Sequence, residues 1–268
     1  MPLAVCATPI GNLEDITLRV IAELREADLV LCEDTRHTRT LLERHGIRAR
    51  LLSYHEHNEA VRTAEVLPRL ARGERVALVS DAGLPGVSDP GARLVRAALE
   101  AGVPVTVLPG PSAVETALVA SGLTAERYQF VGFLPRGERA LAALWEELRS
   151  WSWPTVAFES PRRLPASLAS LARVDPDRRV AVCRELTKAF EEVVRGGAAE
   201  VAARFAEPPR GEITLVVAGA VVATDASAGP ALEAMGELVE AGLPRRRAAE
   251  LVARLTGVPR NRLYRSSL

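Results

Sequence analysis

Lys188 is the only lysine of this 268-residue chain, whose other basic residues are arginines and four histidines. Lysine, unlike arginine, can give up its proton when desolvated, so Lys188, set just past the strand-like run Arg179 to Arg184, is a candidate base with Glu185 beside it. A chain-wide preference for arginine that spared one position explains it equally. A second group is Glu33-Asp34-Thr35-Arg36, followed by His37 and Arg39. Carboxylates at the positive end of a helix need no catalytic reason. The arginines go beyond that reading and suit a substrate phosphate, with Arg36 holding it and Glu33 a second candidate proton acceptor. A third, His55-Glu56-His57-Asn58, has metal-ligand residue types. In an extended conformation His55 and His57 share one face while Glu56 points away, which favours hydrogen-bonded or substrate-facing histidines over a metal site.

The fourth stretch, Asp81 to Ser88, follows the apolar run Val76 to Val79 and carries Gly83 and Gly86. It has no lysine and no GxxxxGK[ST] pattern, so it is not a nucleotide P-loop. Its fixed charges, Asp81 and the nearby Asp89, are negative and would repel phosphate, whereas a ribose, an ammonium or a sulfonium would be attracted. An ordinary strand-to-helix turn is the plainer alternative, with Asp89 as N-cap and Pro90 as first helical residue.

Strands read at Leu3 to Ala7, Asp28 to Cys32, Arg50 to Ser53, Val76 to Val79 and Pro104 to Leu108 must position these groups. Between them lie helices at Ile16 to Glu26, capped by Asp15, at Thr38 to Arg44, ending at Gly46, and over about fourteen residues after Asn58. Strands alternating with helices predict a parallel sheet covered on both faces, and its ligand crevice lies at the carboxyl ends of the strands. All the loops of the first half named above emerge there. Pro109-Gly110-Pro111-Ser112 breaks the pattern and divides residues 1–110 from a second α/β domain over 111–222, with a helix from Ser112 to Ala120. Strands at Tyr128 to Leu134, Thr155 to Glu159, Arg179 to Arg184 and Glu212 to Ala218 have shorter, less regular connections, which predicts a mixed second sheet. The segment Ala189 to Arg195 is ambiguous. Ala223 to Pro230 reads as a small-residue linker to a helical extension over 231–268, where Pro244 to Leu255 and Pro259 to Tyr264 are arranged like a helix-turn-helix.

The length suits one or two domains with a large core, and no apolar run approaches the ~20 residues of a membrane span. Three scattered cysteines without ligand spacing predict buried thiols in a reducing cytoplasm rather than disulfides or zinc. The formal net charge is zero, but from Leu243 to Leu268 seven arginines face one acidic residue, Glu250, a tail able to attract a polyanion.

Six ordered segments, ATPIGNLEDIT from Ala7, CEDTRHTRTLL from Cys32, SDAGLPGVSDPG from Ser80, LPGPSA from Leu108, FVGFLPR from Phe130 and GEITLVV from Gly211, resemble the ribosomal RNA small subunit methyltransferase I family, of the tetrapyrrole methylase fold class. The resemblance implies transfer of methyl from S-adenosylmethionine to a ribose 2′-hydroxyl, that of cytidine 1402 of 16S rRNA in the small ribosomal subunit, by a cytoplasmic homodimer. It also implies a cofactor folded into the cleft between two α/β domains, touching Pro9 and Ile10, Asp81, Ala82, Gly83 and Leu84, Ser112 and Ala113, and Phe158, Leu186, Gly211 and Ile213. No metal is implied. Tetrapyrrole methylases of this class usually have a glycine-rich first loop; here it reads Thr8-Pro9-Ile10-Gly11-Asn12, stiffer and suited to a different acceptor.

Methyl transfer from a sulfonium mainly needs alignment, whereas a ribose hydroxyl is a poor nucleophile until its proton is drawn away. Lys188, Glu185 and Glu33 are the candidate acceptors and Arg36 the phosphate clamp. Two other readings use the same residues: methylation of a tetrapyrrole carbon on the same fold, and a ligand-sensing regulator that binds nucleic acid through its C-terminal arginines. Against the regulator, only Asn261 and Arg262 suggest a base-reading face.

Overall fold

Short continuous apolar runs set the first sheet. β1 (Leu3–Cys6), β2 (Leu29–Cys32) and β4 (Val76–Leu78) are buried along their whole length, as strands covered on both faces must be. They pair in parallel with β3 (Leu51–Ser53) and β5 (Val105–Leu108) in the order β3-β2-β4-β1-β5. Side chains alternate between two cores. Ala4, Cys6, Val30, Cys32 and Ala77 meet α1 (Leu18–Glu26) and α2 (Thr35–Arg44). Leu3, Val5, Leu29, Leu31 and Leu78 meet α3 (Glu59–Ala71) and α4 (Ala92–Glu100). The computed structural model describes residues 2–220, 225–256, 258 and 263.

The second sheet is mixed, in the order β6-β7-β10-β8-β9. Its strands are β6 (Gln129–Phe133), β7 (Thr155–Glu159), β8 (Arg179–Arg184), β9 (Glu192–Gly197) and β10 (Ile213–Val217). β6 and β7 are parallel; β10 runs antiparallel to both β7 and β8, and β9 antiparallel to β8. One face packs on α6 (Glu138–Leu148), α7 (Leu164–Val174) and α8 (Ala198–Arg204) through Trp145, Leu168 and Val201. The other is covered by α5 (Ala113–Ser121) through Val114, Ala117 and Leu118, and Ile10, from the loop after β1, enters the same cluster. α9 (Asp225–Glu240) and α10 (Arg245–Thr256) bury a small core of their own around Met235, Ala248 and Val252.

Several local expectations are corrected by hydrogen bonding. Asp15 does not cap α1: it closes a 3-10 turn, Leu13–Asp15, capped by Asn12, and the α1 cap is Thr17, which accepts from the Val20 amide. α2 begins at Thr35 rather than Thr38, because Asp34 accepts from the Arg36 amide and starts the helix one turn earlier. Asp89 is not the cap of α4, which starts at Ala92 after Gly91. The ambiguous segment after β8 becomes β9, shifted to Glu192–Gly197 by its antiparallel pairing along the whole of β8. The linker reading fails from Asp225 onward, where α9 already runs with Pro230 inside it. Residues 223 and 224 lie outside those described, as does the second helix of the expected helix-turn-helix except Leu263. Among the described residues no helix is long and apolar enough to cross a membrane.

Candidate functional site

Strand direction decides where the loops meet. The loops after β1, β4 and β5 leave the parallel sheet at its carboxyl edge, where β1 lies between β4 and β5 and the chain reverses its direction of travel across the sheet, the place where open α/β sheets bind ligands. In the second sheet β10 runs opposite to β7 and β8, so its first residues lie at the same edge as their last ones. A cavity of about 800 Å³ opens between the two edges, well inside the range of small-molecule sites of roughly 300–1,000 Å³. Ile10, Asp81, Ala82, Gly83, Leu84, Ser112 and Ala113 line it from the first set of loops and α5; Phe158, Leu186, Gly211 and Ile213 line it from the second sheet. Pro9 is buried behind this wall and does not line it.

The loops are locked to each other. The Thr8 amide donates to the Gly83 carbonyl at 2.8 Å and the Gly83 amide to the Thr8 carbonyl at 3.1 Å, while the Thr8 hydroxyl donates to the Ser80 carbonyl at 3.0 Å. Across the cavity the Asn12 amide donates to Thr187 Oγ1 at 2.9 Å. Gly11 sits so close to this partner loop that a Cβ would lie 2.6 Å from Lys188 Cγ and 2.7 Å from the Leu186 carbonyl oxygen. Glu185 and Thr187 both hold left-handed backbone, at φ 51° and 65°, a local cost of the kind that accumulates at functional loops.

Among the described residues no lysine or arginine lines the cavity, and its charges are the carboxylates of Asp81, Asp89, Glu115, Glu159 and Glu212. Asp81 Oδ1 accepts from the Asp34 amide at 3.1 Å. Glu115 accepts from the hydroxyls of Ser112 and Tyr128; burial would raise its affinity for a proton, but these two bonds outweigh burial and hold it below the ordinary value. Glu159, with a fully buried side chain, accepts from the Ser160 amide and the Ser167 hydroxyl and pairs with Arg163, which also donates to the carbonyls of Leu134 and Pro135. That brace ties the end of β6 to the end of β7. Beside it, Phe158 meets Phe130 and Phe133 edge-on, at centroid separations of 4.9 and 5.6 Å, forming an aromatic wall.

The four residues read from sequence as catalytic do not line the cavity. Lys188 Nζ donates to Glu185 Oε1 at 2.8 Å and Glu212 Oε2 at 3.0 Å. Burial alone would lower its pKa, but the two carboxylates prevail and raise it, so Lys188 is a firmly held ammonium in this arrangement. Glu185, through Oε1, also accepts from the Glu212 amide, and these bonds hold it below the ordinary carboxylate range. Arg36 folds back onto Asp34 at the start of its own helix and leaves 87% of its side chain exposed. Glu33 lies beside Asp81 and His55; burial first, then Asp81, pushes its pKa up, and His55 opposes this. His55 Nε2 lies 3.0 Å from Asn58 Nδ2, and its ring meets His57 edge-on at 6.0 Å. Among the described residues no group of three metal-ligating side chains forms.

Sequence reasoning reads Asp89 only as a negative charge of the ligand loop and a helix cap, and passes over Glu115, Tyr128, Glu159 and the aromatic pair Phe130 and Phe133 as site residues. Phe130 and Phe133 stand three residues apart, on opposite faces of a regular strand, and it is the register irregularity between them in β6 that brings both against Phe158, a feature with no local signal in the sequence.

Comparison with known proteins follows the same division. Residues 2–202 match the family described as Tetrapyrrole (Corrin/Porphyrin) Methylases, and residues 225–268 the RsmI C-terminal HTH domain. The chain is 48% identical over 260 residues to Ribosomal RNA small subunit methyltransferase I of Micromonospora olivasterospora, covering 96% of this chain and 83% of that protein. To the protein of the same name from Thermotoga maritima it is 44% identical, covering 81% of this chain and 98% of the other. Among solved structures, the methyltransferase CobJ superposes with a TM-score of 0.61 at 20% identity, covering 81% of this chain and 94% of that one. A cobalt precorrin-4 methyltransferase, CbiF, gives 0.57 at 18%, covering 81% and 94%. At these identities the structural likeness speaks for the fold alone.

Proposed function

The chain belongs to the ribosomal RNA small subunit methyltransferase I family, and from that premise we propose that it methylates a ribose 2′-hydroxyl of 16S rRNA, at cytidine 1402, using S-adenosylmethionine. The observation that carries this reading is the cavity between the two sheet edges, which is acidic, aromatic on one wall and, among the described residues, lined by no basic side chain. Such a cavity repels phosphate-bearing cofactors and favours a ligand with a sulfonium, an ammonium, a flat heterocycle and ribose hydroxyls. S-Adenosylmethionine has all four. When bound it supplies an activated methyl group.

In this reading residues 1–110 and 111–222 are the two domains that enclose the cofactor. Asp81, with Ala82, Gly83 and Leu84, holds it from one side with Ile10, Ser112 and Ala113, and Phe158, Leu186, Gly211 and Ile213 hold it from the other. Pro9 supports Ile10 from behind. Lys188 acts as an ammonium that fixes Glu185 and Glu212 and so shapes the loop next to Gly211. Glu33 and the exposed Arg36 and Arg39 border the mouth on the first-sheet side, where an incoming phosphate backbone can trade Asp34 for itself as the partner of Arg36. The arginines of residues 231–268 add an RNA contact, and the enzyme works as a cytoplasmic homodimer on the small ribosomal subunit.

Purified protein is expected to bind S-adenosylmethionine in calorimetry and to transfer labelled methyl to 30S subunits or 16S rRNA from a strain lacking that mark. Binding without transfer to RNA, together with labelling of a porphyrinogen, would reject the acceptor. Failure of both binding and transfer would reject the reading as a whole.

A further inference from the structure

Among the described residues five carboxylates line the cavity, and four of them are engaged elsewhere. Asp81 is turned to the Asp34 amide. Glu115 is held by two hydroxyls. Glu159 is closed off by Arg163, Ser167 and the Ser160 amide. Glu212 pairs with Lys188 and leaves 71% of its side chain in solvent. Asp89 is held more lightly: the helix it was expected to cap begins two residues later, with Gly91 as cap and Ala92 as first residue, so its side chain is released from that task, keeps Ser80 as a neutral hydrogen-bond partner and faces the cavity. Its loop is carried across the gap. Ser88, in left-handed backbone at φ 62°, comes within 3.6 Å of the point where a side chain on Gly132 of β6 would begin.

We propose that Asp89 is the general base of the methyl transfer, accepting the proton of the acceptor hydroxyl as that oxygen attacks the methyl carbon. This rests on the reading of the protein as a 2′-O-methyltransferase. The step balances. The O–H bond breaks with its proton passing to the Asp89 carboxylate, an O–C bond forms, and the C–S bond breaks with its electron pair passing to the sulfonium sulfur. A carboxylate and a sulfonium become a carboxylic acid and a neutral thioether, so the reacting pair loses both of its charges.

The surroundings of Asp89 suit a base that works near neutrality. Burial pushes its pKa up to about 6, aided by the like charges of Glu33 at the end of β2 and Asp81 after β4, while a hydrogen bond with Ser80 opposes the rise. A carboxylate with an ordinary pKa near 4 would be a weaker base toward a ribose hydroxyl. When a cationic cofactor is bound, the pKa of Asp89 falls.

The test uses the full chain with Asp89→Asn and Asp89→Glu. In the cofactor-free wild type, carbon-detected NMR of labelled aspartate is expected to show a carboxyl that titrates near pH 6 and vanishes in Asp89→Asn. A carboxyl at position 89 titrating near 4 overturns the proposal, whatever the acceptor proves to be. With 30S subunits, the Asn variant should bind S-adenosylmethionine within about threefold of wild type yet lose at least ~100-fold in single-turnover rate. The wild-type rate should fall on an acid limb that the Asn variant lacks, and Glu should restore part of the rate. Retained rate in Asp89→Asn, or a loss confined to cofactor affinity, returns the role to Glu33 and overturns the assignment. Absence of any RNA methylation by the wild type instead counts against the proposed function, with the NMR result still deciding the state of Asp89.

Discussion

At the scale of single residues, the same cavity edge pushes ionisable groups in opposite directions. Lys188 and Glu185 stabilise each other: the lysine's raised pKa gives a contribution present below its ordinary value and lost as pH rises through the raised one, and the glutamate's lowered pKa gives one lost in acid. Asp89 has the reverse sign. Its pKa in the folded chain, about 6, lies above the ordinary 3.8, so its ionisation opposes folding, with no cost below about pH 4 and the full cost above about pH 6. Asp89→Asn is therefore expected to raise the unfolding free energy at pH 8 by about 1–2 kcal/mol and to leave it nearly unchanged at pH 4. Urea denaturation at the two pH values checks this; equal effects at both would mean that Asp89 is not desolvated. None of this was legible locally, because Asp89-Pro90 is a good helix start by composition, and only the position of Gly91 frees the carboxylate.

At the scale of elements, the site depends on loops that touch across the two sheets rather than on any strand. Gly211, at φ +94°, precedes β10, and a Cβ there would lie 2.3 Å from Glu185 Cγ. Both the backbone and the space forbid a side chain. Gly211→Ala is expected to cost about 2–3 kcal/mol of stability and to weaken S-adenosylmethionine binding more than ~10-fold, since the displaced Glu185 would drag Lys188 and Leu186 with it. Denaturant titration and calorimetry on one preparation check both, and a variant of wild-type affinity would show that the loop yields without moving the cavity wall. Gly11 has the matching role on the other side. The sequence reading found the strands other than β9 within a residue or two, since buried strands announce themselves as unbroken apolar runs, whereas β9, ambiguous in sequence, lies further along. It missed helix starts wherever two capping residues compete, as with Asp15 against Thr17, because the choice depends on which amide each side chain meets after the preceding turn has formed.

At the scale of the whole molecule, α9 and α10 share a core separate from the clusters of the two sheets, and α10 exposes Arg245, Arg246, Arg247 and Arg254 while burying Ala248, Ala249 and Val252. A chain ending at residue 220 is thus expected to fold and to bind S-adenosylmethionine within about threefold of the full chain. Its methylation of 30S subunits should fall, with a weaker salt dependence of RNA binding, since fewer phosphate contacts are made. Unchanged RNA affinity across a salt series would remove the extension from substrate binding. By itself the sequence determined the alternating elements, the parallel and mixed sheets and the family, because apolar periodicity and ordered motifs are local properties of the chain; of the twelve residues that the resemblance implies around a cofactor, eleven line the cavity. Tertiary structure alone decided which carboxylates remain available. Glu159 is neutralised by an arginine four residues on and Glu212 by Lys188, whereas Asp89 has a neutral partner, Ser80, and the like charges of Glu33 and Asp81 beside it. A proton affinity depends on every charge and every layer of protein within several ångströms, and those neighbours come from β2, β4 and β6, strands that adjoin only after both sheets have formed and closed on each other.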